Sequence, residues 1–168
     1  ISEGLRDCMA DASRLGITLN MENLGSETTL YGSSEDLLTI CDSIGPEFKL
    51  TYDVGNWVIA GEDALQALDK IAPRVVHVHF KDWHILLGNG AMNETLSGVE
   101  GCYEGVDGRY YDGAVLGEGE IDLKGAVKRL GELNYDGCIS VEYEGRKDPR
   151  EMVRRGTEYL QSLLEGSL

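Results

Sequence analysis

Four short runs of this chain alternate apolar and polar side chains with a period of two, and each gathers ionisable groups toward its C-terminal end. In VVHVHFKD (75–82), Val76, Val78 and Phe80 fall on one face, and His77, His79 and Lys81 on the other. The β-branched and aromatic residues and the strict alternation predict a strand. ITLNME (17–22), FKLTYD (48–53) and CISVEYE (138–144) share the pattern. Their apolar faces carry Leu19 and Met21, Leu50 and Tyr52, and Ile139 and Val141. Their polar faces carry Asn20 and Glu22, Thr51 and Asp53, and Ser140, Glu142 and Glu144.

Helical patterns lie between and after these runs. SSEDLLTICDSI, GEDALQALDKIA, DLKGAVKRLGEL and DPREMVRRGTEYLQSLL each place apolar residues three or four apart. Ser33 or Ser34, Asp122 and Asp148 are the expected N-caps, and Pro149 suits a first helical position. Strands alternating with helices imply βαβ units and a parallel sheet. In an open sheet covered on both sides the strands would be apolar throughout. Here every strand keeps a polar face, as in a (β/α)₈ TIM barrel, where the interior opens into an active site at the strand C-termini. The fold class expected is therefore α/β, a (β/α)₈ TIM barrel. The chain supplies four of its eight units in one domain, 1–168.

Glu22, Asp53, His79 and Glu142 stand at equivalent heights near the ends of the four strands. Three carboxylates and an imidazole converging in a poorly solvated mouth require a counter-charge. One divalent cation supplies it. Oxygen ligands with a single nitrogen suit Mn²⁺ first, with Mg²⁺, Co²⁺ or Zn²⁺ as alternatives. The alternative, four unrelated ion-pairing side chains, is opposed by their matched strand positions.

Charge and composition narrow the partners. Thirty acidic residues against 15 basic ones give a net charge of −15, which repels a phosphate backbone and excludes nucleic acid as an expected partner. No apolar run approaches the ~18 residues of a membrane span, and no basic segment followed by an apolar core opens the chain. Cys8, Cys41, Cys102 and Cys138 are widely spaced without a CxxC pair, so reduced thiols and a cytoplasmic location are expected.

The runs ITLNMENLG, LTYDVGNW, VVHVHFKD, VLGEGEIDL and GCISVEYEG, in this order, resemble the C-terminal half of the xylose-isomerase-like TIM barrels, a superfamily of sugar phosphate isomerases and epimerases. The superfamily also includes dehydratases of inosose and dehydroshikimate, and nucleases. The resemblance implies that Glu22, Asp53, His79 and Glu142 bind one divalent ion. It implies a metal-dependent sugar isomerase or epimerase, transferring a proton next to a carbonyl through a metal-stabilised enediolate, with Glu22 and Glu142 as base and acid. The alternatives are an inosose-type dehydratase, a lyase on the same scaffold, and a non-catalytic fragment that binds metal or sugar.

Two departures from the family pattern bear on the substrate. Where epimerases and nucleases carry a His three residues after the Asp, this chain has Asn56. Where ketose 3-epimerases follow the metal His with Glu and Arg, it has FKD, a pattern closer to the inosose dehydratase and broad sugar-phosphate isomerase branches. Three histidines, His77, His79 and His84, are too few for the nucleases' trinuclear cluster.

Asn56, His77 and Lys81 are the further substrate-binding candidates, with His77 one residue pair deeper than His79 and Lys81 at the rim, able to pair with Glu144 or Asp82. Trp57 is expected to pack rather than to stack on a sugar. GEGEID (117–122) has no GxGxxG spacing and reads as a tight turn into the next helix. Residues 83–116, Gly-rich yet aromatic, are expected to form an inserted loop after the third strand and to act as a mobile lid, a specificity loop or a subunit contact. The expected partner is a small-molecule sugar or sugar derivative, with a homo-oligomer left open. The chain starts at Ile1, so a longer polypeptide carrying the N-terminal half of the barrel is expected rather than a separate partner chain.

Overall fold

The structure, a computed structural model, describes residues 2–25, 30–86 and 98–166. Helix α1 (Ser2–Leu15) leads into β1 (Asn20–Glu22), α2 (Ser34–Ile44) and β2 (Lys49–Asp53). A short α3 (Val54–Ile59) and α4 (Ala64–Ile71) follow, then β3 (Val75–Phe80). Strands β4 (Asp82–Leu86), β5 (Cys102–Glu104) and β6 (Tyr110–Ala114) form an excursion. Helix α5 (Leu123–Glu132), β7 (Ile139–Val141) and α6 (Pro149–Glu165) complete the chain.

Strands β1, β2, β3 and β7 make one parallel sheet in that order, with Glu22 opposite Thr51 and Asp53 opposite His79. This is the strand arc of a barrel, and the helices cover one face of it. Leu50, Tyr52, Val78 and Phe80 are buried there against Leu37, Leu68, Ile71, Val127, Leu130 and Leu160. Each such side chain, removed from water, contributes roughly 1.5–3 kcal/mol. The opposite face keeps its polar side chains. Thr51 donates to Asn20 Oδ1 at 2.5 Å, and His77 Nε2 lies 2.9 Å from Ser140 Oγ.

Local chemistry sets the helix starts. Ser33 and Asp36 form a reciprocal capping box at α2. Asp63, Asp122 and Asp148 cap α4, α5 and α6 through their side chains. The first and last strands are shorter than the alternation predicts. Residues 17–19 lie outside β1 because the chain is still closing α1, where Gly16 has φ 67° and the Ile17 amide donates to Ala12 O at 2.9 Å. Beyond β7, the Glu142 amide donates to Phe80 O at 2.9 Å, so the ladder reaches the site residue itself.

The segment 83–116, expected as a structureless lid, is different in its described part. β4, β6 and β5 form a separate antiparallel sheet, with Trp83 opposite Gly113 and Tyr103 opposite Tyr111. Trp83 and Tyr111 are fully buried with Ile59 in a small core of their own, which supplies the order that Gly-rich sequence does not. Residues 87–97 of the expected loop lie outside the described residues. The GEGEID turn wraps the buried Asp82, whose two carboxylate oxygens accept from the backbone amides of Trp83, Gly117, Gly119 and Ile121 at 2.9–3.1 Å. Lys81 therefore does not pair with Asp82. Trp57 is fully buried in the main core. No helix among the described residues is long and apolar enough to cross a membrane.

Candidate metal centre

At the C-terminal end of the parallel sheet, Glu22, Asp53, His79 and Glu142 each offer a ligand atom, and these four atoms lie within 4.8 Å of one another. The strand register produces this, because parity puts all four on the same face and pairing puts Asp53 beside His79. His79 Nδ1 lies 3.2 Å from Glu22 Oε2, 3.1 Å from Glu142 Oε1 and 3.9 Å from Asp53 Oδ2.

Glu22 and Glu142 are each held at one oxygen and present the other, whereas Asp53 is held at Oδ1 and shares Oδ2 with Lys81. Asn56 donates its side-chain amide to Glu22 Oε1 at 2.8 Å. Asp53 Oδ1 caps α3, accepting from the amides of Gly55 and Asn56 at 2.9 and 3.2 Å. Lys81 Nζ stands 2.9 Å from Glu142 Oε2. The three remaining oxygens face His79 Nδ1. Asp53 Oδ2 and His79 Nδ1 are buried and make no well-formed hydrogen bond, only close ion-pair approaches, to Lys81 Nζ at 2.9 Å and to the Glu142 and Glu22 carboxylates at 3.1 and 3.2 Å. Buried polar atoms left short of good hydrogen bonds are costly. The donor set, three carboxylate oxygens and one imidazole nitrogen, fits a divalent ion, which would satisfy them.

The electrostatics express the same crowding. Burial, reinforced by the Glu22 carboxylate and only partly opposed by Lys81, pushes Asp53 up to about 8. Burial also acts to raise Glu22, but its close contacts with His79 and Asp53 and the charges of His79 and Lys81 outweigh it and hold Glu22 below the usual carboxylate range. The close approach of Glu22 lifts His79, against burial and with help from Glu142. Lys81, almost wholly buried, pairs with Asp53, Glu142 and Glu144, and these carboxylates overcome its desolvation and keep it charged. It is therefore not at an exposed rim but at the centre of an acidic cluster.

A pocket of about 330 Å³ opens beside the group, lined by Glu22, Asn56, Lys81, Glu142, Glu144 and Tyr103 among others. Asn56 and Lys81, two of the three further candidates from the sequence, line this pocket. His77 is not in this lining: its ring meets His79 edge-on at 5.0 Å and pairs with Ser140 below. Glu118 pairs with Arg155 on the outside. Tyr103, on the antiparallel sheet, is the lining residue that strand parity could not find. The one sequence signal for it was the unusual aromatic content of a Gly-rich segment.

Comparison with known proteins extends these observations. A sequence model of the family described as Xylose isomerase-like TIM barrel matches residues 1–163. An inosose dehydratase of Clostridium perfringens (strain 13 / Type A) is 32% identical over 166 residues, 96% of this chain and 53% of that protein. Among solved structures, the IOLI protein with a bound zinc atom has a TM-score of 0.74 at 15% identity, covering 99% of this chain and 56% of that one. An L-ribulose 3-epimerase has a TM-score of 0.73 at 16% identity, covering 99% and 53%. The chain spans about half the length of the C. perfringens relative. With a family match over nearly its whole length and a sheet of the corresponding topology, the chain belongs to the xylose isomerase-like TIM barrels.

Proposed function

We propose that the protein containing this chain is a divalent-metal-dependent enzyme acting on a polyhydroxy ketone, and that its first step removes a proton from the carbon beside the carbonyl. The observation that carries this reading is the convergence of three carboxylate oxygens and His79 Nδ1, all within 4.8 Å of one another, with no well-formed hydrogen bond at Nδ1. Glu22, Asp53, His79 and Glu142 would hold the ion, with Mn²⁺ the expected metal. When bound, it supplies Lewis-acid polarisation of a carbonyl and its neighbouring hydroxyl.

Glu22 and Glu142 reach the group from the first and last strands of the sheet, so they address a substrate from different sides. Glu22, held ionised, suits the role of base. Glu142, hydrogen-bonding distance from the ammonium of Lys81, is placed to return a proton. Asn56 orients the Glu22 carboxylate, and Lys81 lines the pocket within reach of a substrate hydroxyl.

Two outcomes share that first step. Return of the proton to the other face or the neighbouring carbon gives an epimer or isomer; expulsion of the adjacent hydroxyl as water gives a dehydrated product. The 32% identity to an inosose dehydratase favours elimination, since the epimerase likeness, at 16% identity, speaks to fold alone. The test is turnover of an inosose and of ketoses in D₂O by the intact, ion-loaded protein, followed by mass spectrometry. Deuterium incorporation with loss of one water supports dehydration, and incorporation at unchanged composition supports isomerisation. Turnover with no carbon-bound deuterium in any product overturns proton transfer by these residues.

A further inference from the structure

We propose that Tyr103, delivered by the antiparallel excursion and not by a barrel strand, is a substrate-contacting specificity residue, its ring and hydroxyl forming the wall against which a polyhydroxylated ring is held. This rests on the sugar reading above and names a residue outside it.

The pocket volume of about 330 Å³ lies within the ~300–1,000 Å³ of small-molecule sites. Glu22 and Glu142 line it from the ends of the parallel strands, and Tyr103 comes from β5. Tyr103 lies near the Glu144 carboxylate in the pocket wall and is held in place through Trp83. Its ring meets Trp83 edge-on, with centroids 5.4 Å apart and planes at 68°. Trp83 is itself buried and donates its indole N–H to Gly55 O at 3.2 Å, two residues past Asp53.

The excursion lies close against the end of the last strand because two glycines permit it. A Cβ at Gly101 would come 2.7 Å from Glu144 O, and one at Gly113 would fall on the backbone of Glu144 and Gly145. The Gly113 amide donates to Gly101 O at 3.0 Å, and Arg146 pairs with Asp112 at 2.9 Å. The chain thus invests close backbone contact and an ion pair in bringing β5 over the site.

Tyr103 has the chemistry the site otherwise lacks. Glu22, Glu142, Glu144 and Lys81 supply charge, whereas a sugar or cyclic polyol also presents apolar C–H faces. An aromatic ring covers these with little conformational cost. The phenol can donate to and accept from substrate hydroxyls. Glu144 lies between the two sides, close to Tyr103 and paired with Lys81, which in turn contacts Asp53 and Glu142.

The test uses the intact, Mn²⁺-loaded protein with myo-inositol as an unreactive probe. Its Kd is measured by calorimetry for wild type, Tyr103→Phe and Tyr103→Leu, alongside ion stoichiometry and KM for an inosose. We expect Tyr103→Leu to raise Kd and KM by about tenfold and Tyr103→Phe by a smaller factor, with one ion per chain retained in both. Unchanged Kd and KM in Tyr103→Leu overturn the assignment, as does loss of the ion in Tyr103→Phe, which marks a structural residue. Should Tyr103→Leu not fold, the Tyr103→Phe shift alone decides. A wild type that binds the ion but neither polyol nor inosose overturns the sugar reading and this assignment with it. A wild type that binds them indifferently to Tyr103 overturns the assignment only.

Discussion

Asn56 donates its side-chain amide to Oε1 of Glu22 at 2.8 Å and leaves Oε2 as the oxygen turned toward His79. A second donation, to Asn23 O at 3.0 Å, fixes the amide so that it cannot swing away. Asn56→Ala frees the carboxylate to rotate. We expect it to weaken ion binding by roughly 10–100-fold while leaving the fold intact, which competition against a fluorescent chelator would measure. Affinity equal to wild type would show that Glu22 needs no such hold.

Removing a ligand differs from loosening one. Asp53→Asn and His79→Ala in the intact protein are each expected to lower bound ion well below one per chain, as read by elemental analysis after gel filtration. Chelation of the wild type is expected to abolish turnover, and Mn²⁺ or Co²⁺ to restore it. Full stoichiometry in both variants would disprove the four-residue group.

Lys81 tests the electrostatics of the ion-free state. Its ammonium is buried between Asp53, Glu142 and Glu144. Lys81→Met leaves those carboxylates without a cation, and breaking a buried charge cluster in this way costs about 3–5 kcal/mol. Urea titration in the presence of a chelator should show that loss, and saturating Mn²⁺ should return part of it. A variant as stable as wild type without the ion would mean that Lys81 is not needed as counter-charge.

A pH-dependent contribution lies away from the ion site, at Glu62. Its carboxylate accepts from the Ser34 amide and hydroxyl at 2.8 and 2.5 Å and from Lys70 at 2.7 Å, joining α2 to the start of α4. Burial acts to raise its pKa, but these three partners prevail and hold it below 4.5. A carboxyl lowered on folding contributes stability that is present above the unfolded value and lost as pH falls through the folded one. We therefore expect Glu62→Gln to cost about 1 kcal/mol at pH 7 and progressively less below pH 4.5. Urea midpoints of both proteins at pH 7 and at acid pH would show the gap closing; a constant gap would contradict the linkage.

Parity made the site legible in the sequence. In a strand the side-chain period is two, so Asp53 and His79 had to share a face once both runs were strands, and parallel pairing brought them side by side. Lys81 was on the correct face, but parity does not give reach, and its three-way pairing depends on where a long side chain finds its charges. VGNWVI forms α3 because Asp53 caps it and Trp57 anchors it in the core. A six-residue turn has too short a period to be seen. The excursion was hidden for a related reason: strands of three to five residues among glycines carry little propensity, and burial of Trp83 against Tyr111, contacts distant in sequence, decides their order.

The close seating of Gly101 and Gly113 on residues 144–145 has an evolutionary consequence. The groups that would hold the ion and move protons are borne at the ends of the parallel strands, whereas the proposed facing wall is borne by an excursion docked through backbone at these two points, a small shared core and the Arg146–Asp112 pair. On the roles proposed above, changes within that excursion, kept to the spacing the two glycines impose, would redirect which molecule is admitted without rewriting how it is transformed. Reaction and selectivity would then be separately heritable in this architecture.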